Sequence, residues 1–311
     1  MNIEGVGLSS IQTARQTGLT REPASTLLSY AIESYQDLGP ISDVDDHGTY
    51  DSIGQVTQPV LRFASSQPNG YEIFLPVRAG HSSTNLAIAV TDPSAEPFSS
   101  GNAKSEVSEL ARRAIDARYQ QMADSGQPFR PKSNEAVDWY TAFGDLDRRA
   151  LNAIRTDESG LFSAVEMEIA QSIMTQQQSL AMGLYQGPSR LAGAFADKDG
   201  RDPSDHMAVG RAGALWLDQV SLEEKRTSPE WMEQRAAAQY LYESTAAQTG
   251  KQPEKLSSGF GFVDRMVQAY SELEKLGEGH ELNYLPSYQH AWQMFVDQVP
   301  QEQSTSMTLF F

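Results

Sequence analysis

The chain has 311 residues, 39% of them apolar and 23 of them glycine, an ordinary globular balance that excludes disorder along its whole length. Its 24 basic side chains against 41 acidic ones leave a net charge of −17, which repels phosphate backbones and argues against nucleic acid as a direct ligand. The lack of any cysteine excludes disulfides, thiolate metal sites and cysteine nucleophiles, and no apolar run approaches the roughly 18 residues of a membrane span.

At roughly 150 residues per domain, the length predicts about two domains. Residues 1–20 are rich in Gly, Ser, Thr and Gln without a helical or alternating pattern, and read as a flexible arm. Nothing from Met1 to Pro23 has the basic start and apolar run of a signal peptide. The expectation is therefore a cytoplasmic protein, with signal-peptide-independent export still compatible. The Gln, Ala and Ser richness has a bacterial cast.

The first predicted helix starts at Thr20, carries Leu27, Leu28, Ala31, Ile32 and Tyr35 at helical spacing, and stops at Gly39-Pro40. The period then drops to two. Leu61 and Phe63, then Ile73, Leu75 and Val77, then Leu86, Ile88 and Val90 alternate with their neighbours, separated by Asn69-Gly70 and by Gly80 to Ser83. That pattern predicts a three-stranded antiparallel meander. Val107, Leu110, Ala111, Ala114, Ile115 and Met122 supply an amphipathic helix to cover it. The fold class expected is mainly α: a small N-terminal α+β domain over residues 21–125, the meander with flanking helices, followed by an all-α multi-helix domain over 132–300 and a C-terminal tail at 301–311. The boundary falls at the breaker cluster Ser125–Pro131.

Past that boundary the caps are legible. Ser133 or Asn134 opens a helix with Val137, Trp139, Tyr140 and Phe143; Leu146, Ala150, Leu151 and Ile154 form the next stripe. Ser163 with Glu166 and Ser221 with Glu224 read as capping boxes, and Ser228-Pro229-Glu230 as a helix start. Two further helices are predicted near Phe262–Leu276 and Pro286–Val299.

Three acidic loops carry donors at metal-like spacing. Residues 155–166 are similar to an EF-hand calcium loop, with Asp157 third, Ser159 fifth, Gly160 sixth and Glu166 twelfth. The resemblance implies Ca²⁺ held by Asp157, Ser159 and Glu166, since that ion takes six to eight oxygens and the last glutamate supplies two. The sequence departs from the pattern at the first ligand place, where Arg155 is a fixed cation, and the capping box with Ser163 already explains Glu166. The loop 43–51 gathers Asp43, Asp45, Asp46, His47 and Asp51, a mixture suited to Mg²⁺ or Ca²⁺ or to acid–base work. A solvated acidic turn has the same composition. Asp197, Asp199, Asp202, Asp205 and His206 form a third cluster, interrupted by Lys198 and Arg201.

No nucleophile elbow, zinc-protease motif or phosphate-binding loop is present, so no catalytic residue and no required cofactor is assigned. The end of the chain is less ordinary: a polar spacer from Pro300 leads to Met307, Thr308, Leu309, Phe310 and Phe311. Ser306-Met-Thr-Leu-Phe310 is similar to the short peptide by which bacterial proteins bind the replication sliding clamp, although the usual leading glutamine is Ser306 here. The function expected is that of a non-catalytic protein-interaction or regulatory protein, with Leu309, Phe310 and Phe311 binding a protein partner. The alternative is a metal-dependent binding protein or hydrolase using loop 43–51 or 155–166.

Overall fold

The computed structural model describes residues 70–298, apart from Lys198 and Glu278. The arm, the helix from Thr20, the loop 43–51, the strand at Leu61–Phe63 and the tail 301–311 lie outside the described residues. Among the described residues ten α-helices succeed one another in chain order: α1 Thr84–Thr91, α2 Lys104–Asp124, α3 Val137–Phe143, α4 Arg148–Thr156, α5 Ala164–Ala181, α6 His206–Gln219, α7 Leu222–Thr227, α8 Pro229–Gln248, α9 Gly261–Leu276 and α10 Pro286–Gln298. Short 3₁₀ turns also occur, one at Glu72–Phe74 ahead of α1 and others between helices.

There is no β-strand among the described residues, and the expected α+β domain is corrected on that finding. Ile73 belongs to a 3₁₀ turn that buries Phe74, and the run Leu86–Val90 is α1. The reason is visible in α1's burial. Leu86, Ala87, Ala89 and Val90 are inside and Ile88 is only partly covered, a spacing of one, three and four that only a helix produces. Alternation among residues that are all apolar carries no information on the face buried, so the period of two was an accident of composition. The glycines read as hairpin turns still turn the chain, Gly70 at φ +75° and Gly80 at φ +85°.

Four of the described helices after residue 131, α4, α5, α7 and α8, start at a side-chain cap, whereas the helix expected from Ser133 or Asn134 begins as a 3₁₀ turn and becomes α only at Val137. Asp147 accepts from the Ala150 N–H at 2.9 Å, Ser163 from the Glu166 N–H, Ser221 from Glu224 and Ser228 from Trp231. Glu166 completes its box by accepting from the Ser163 N–H at 2.8 Å. Glu224 does not reach back to Ser221, because its carboxylate is held by Arg148.

Among the described residues two large apolar clusters make up most of the interior, with smaller ones around Tyr242 and Met182. The first runs from Tyr71 to Leu191 and joins α1 to α5 through Leu86, Ile115, Phe143, Leu151 and Ile173, with side chains from both sides of Ser125–Pro131. The second packs α6, α8, α9 and α10 through Trp216, Trp231, Met266, Ala291 and Phe295. Helix α5 is the central post: Ile173 to Leu180 is buried on every face. The most extensive helix contact among the described residues is α6 on α8, where a Cβ at Gly210 would sit 2.8 Å from both the Ala238 carbonyl oxygen and the Tyr242 nitrogen.

Candidate functional site

The acidic loop 155–166 is a plain turn between α4 and α5, and its donors are occupied by the protein itself. Asp157 sits at φ 39°, a left-handed conformation that aspartate tolerates, and its Oδ1 accepts from the Leu161 and Phe162 N–H groups at 2.8 and 3.2 Å. Ser159 Oγ turns toward the same oxygen at 3.5 Å. Glu166 accepts from Arg112 Nη1 at 2.9 Å and Tyr119 Oη at 3.1 Å on one oxygen, and from the Ser163 hydroxyl at 2.8 Å on the other. Burial works against its charge, but the Ser163 N–H and the Arg112 guanidinium outweigh it and hold the carboxyl below the usual range. In the loop 197–205 the acids serve as turn formers: Asp197 accepts from the Arg201 N–H at 2.9 Å and Asp205 caps α6. Among the described residues, no group of three or more His, Asp or Glu side chains is placed to hold a metal ion. Asp43, Asp45, His47, Leu309, Phe310 and Phe311 lie outside the described residues.

A buried polar layer went unread in the sequence. Arg148 is 3% exposed at the first turn of α4 and makes a two-pronged pair with Glu224, at 2.9 and 2.7 Å. Its remaining nitrogen donates to the Met174 carbonyl and to Gln177 Oε1, and its guanidinium lies 4.5 Å from the centre of the Trp216 ring. Gln176 and Gln177 bond the Phe74 and Leu86 carbonyls, and Tyr140 donates to Gln176 at 2.7 Å. The three adjacent glutamines at 176–178 were the available signal, since such a run inside an apolar helix has no polar face to occupy. Between these groups lies a polar cavity of about 20 Å³ bordered by Arg148, Thr175, Gln178, Glu224 and Ser228. That is room for one water-sized molecule and no substrate. The layer cross-links helices.

The surface of the C-terminal helices differs. Of the large apolar residues left exposed among the described ones, Leu276, Tyr284 (69% exposed), Trp292 and Val296 all fall on or beside the α9–α10 hairpin. Trp292 and Val296 are four residues apart, so they share one face of α10. Trp292 stacks on Tyr288 with ring centres 6.5 Å apart, and Tyr288 donates to Glu233 Oε1 at 2.8 Å. Burial raises the Glu233 carboxyl above its ordinary range, and the nearby Glu230 adds to that, more than the Tyr288 bond offsets. Beside this face a cavity of about 160 Å³ opens between α7, the start of α9 and the end of α10, lined by Lys225, Arg226, Phe260, Phe262, Phe295 and Gln298.

No helix among the described residues is long and apolar enough to cross a membrane. No protein-family model, curated protein sequence or solved structure matches the chain.

Proposed function

We propose that this is a non-catalytic interaction or regulatory protein. It binds a protein partner through the exposed face of α10 and through the apolar residues Leu309, Phe310 and Phe311. The reading rests chiefly on the apolar side chains left in water at the α9–α10 hairpin, with Trp292 and Val296 on one helix face. Aromatic anchors of this type concentrate binding energy at protein interfaces. The described ionisable groups support the same reading. Arg148, Glu224, Arg112, Glu166, Arg235 and Asp218 are all held by one another, none facing a cavity that would admit a substrate.

Pull-down from the native lysate with three forms of the full chain tests it: unaltered, Trp292→Glu, and Leu309→Ser with Phe310→Ser and Phe311→Ser. The same partner should be recovered by the unaltered chain and lost from both variants, with their helical circular dichroism unchanged. Equal recovery by all three would refute the reading.

A further inference from the structure

The cavity at the foot of α10 is built for a particular guest. Three phenylalanines line it: Phe262 meets Phe295 edge to face, 5.5 Å apart at 88°, and Phe260 lies 5.1 Å from Phe262, tilted at 31°, and 5.4 Å from Trp231. Its volume, about 160 Å³, is close to the roughly 150 Å³ of an apolar cavity that takes up benzene. One aromatic ring fits and two do not.

Its rim carries the other half of the specification. Lys225 and Arg226, in the last turn of α7, stand at the mouth of this pocket in a chain of net charge −17. Lys225 is anchored, with Nζ donating to the Asp218 carbonyl at 2.6 Å and lying 5.8 Å from the Trp231 ring centre. Arg226 is exposed and makes no ion pair among the described residues, whereas Arg148, Arg149, Arg155 and Arg235 are all paired. Leu222, one turn earlier on α7, is also exposed. An aromatic wall under an unspent guanidinium selects an aromatic group with a carboxylate beside it. At physiological salt the screening length is about 8 Å, and the acids that act on Lys225 at closer range, Asp218 and Glu224, are paired with Arg235 and Arg148.

We propose that this pocket is a second docking site, apart from the Trp292–Val296 face, for an acidic peptide segment of a partner protein. The segment inserts one phenylalanine, tyrosine or tryptophan side chain between Phe260, Phe262 and Phe295, and a neighbouring Asp or Glu pairs with Arg226.

The probe is the fluorescein-labelled peptide Gly-Asp-Phe-Asp-Gly, followed by anisotropy with the full chain at 150 mM salt, alongside the same peptide with Ala for Phe and with Lys for both Asp. The expected result is saturable binding of the first peptide only, weakened about tenfold by Arg226→Glu and by Phe260→Ala. Phe260 is only partly buried, and thermal melting checks that both variants remain folded. Quenching of tryptophan emission by the unlabelled peptide, abolished in Trp231→Phe, places the guest next to Phe260. No saturable binding, or binding indifferent to both substitutions, overturns the proposal. So does binding that emerges only after Leu309, Phe310 and Phe311 are replaced by serine, which would make the chain's own end the occupant.

Discussion

Arg148 keeps its charge inside the protein because each of its three nitrogens has an acceptor: Nε and Nη2 on Glu224, and Nη1 on Gln177 and the Met174 carbonyl. Removing the cation alone strands the Glu224 carboxylate, 5% exposed, away from water. Breaking one half of such a pair costs about 3–5 kcal/mol, whereas replacing both halves by apolar residues of similar volume is often close to neutral. Urea unfolding should therefore show Arg148→Ala destabilised by that amount and Arg148→Met with Glu224→Leu much less so. Glu233 obeys a different rule, since its folded carboxyl titrates above its unfolded value. The native state then binds more protons than the unfolded chain over the interval between those values. The contribution is fully present below the unfolded pKa and is lost as pH rises through the folded one. Glu233→Gln keeps an acceptor for the Tyr288 hydroxyl and removes the titration. Melting temperatures between pH 4.5 and 7 should lose this downward component in the variant, which is expected to be the more stable protein at pH 7.

At the scale of elements, the α6–α8 contact depends on the absence of side chains. A methyl at Gly210 would meet backbone atoms of α8 at 2.8 Å, and one at Gly213 would meet Met182 Cε at the same distance. Backbone cannot yield as a flexible side chain can. Gly210→Ala should cost about 1–3 kcal/mol despite the better helix propensity of alanine, read as a fall in melting temperature of several degrees. Gly213→Ala should cost less, because the Met182 thioether can swing aside. This contact also marks where sequence reasoning stops. Helices α5, α7 and α8 were legible because Ser163, Ser221 and Ser228 announce their starts through short-range hydrogen bonds, which residue order encodes directly. The helix opening near Ser204 and running through Leu215, Trp216 and Leu217 was legible too, capped one residue later at Asp205. Why it carries glycine at 210 and 213 shows only once the approaching partner is known. Helix α1 was misread for the same reason: Leu86 to Val90 is apolar throughout, and only packing against α5 decides which face is inside. The phenylalanine pocket was illegible because Arg226, Phe262 and Phe295 come from separate helices and meet only after folding.

Across the whole molecule, the two apolar clusters are joined by polar bolts rather than by continuous packing alone. Trp216, in the second, donates its indole N–H to the Val90 carbonyl of α1 at 3.0 Å, and Arg148 reaches from α4 to Glu224 on α7. Within the first cluster, Val107, Ala111, Ile115 and Met122 of α2 are buried with Tyr140, Phe143, Leu146 and Leu151 beyond the exposed Ser125–Gly126 turn. A protease cutting between Ser125 and Pro131 meets accessible backbone, so nicking there should be fast. Separation of the pieces is a different matter. Parting them would expose the whole inner face of α2 and the chain from Tyr71 to Val90, as well as break the Arg78–Asp138 pair at 2.8 Å and the Arg118–Asp145 pair. At about 25 cal/mol per Å² of apolar surface, even four buried side chains of that size contribute several kcal/mol. The nicked protein should therefore elute from a sizing column at the position of the intact chain and show two bands only after denaturation. Elution of a separate, still helical fragment beginning near residue 132 would mean that the contacts of α2 with α3 and α4 are too weak to hold the first cluster together.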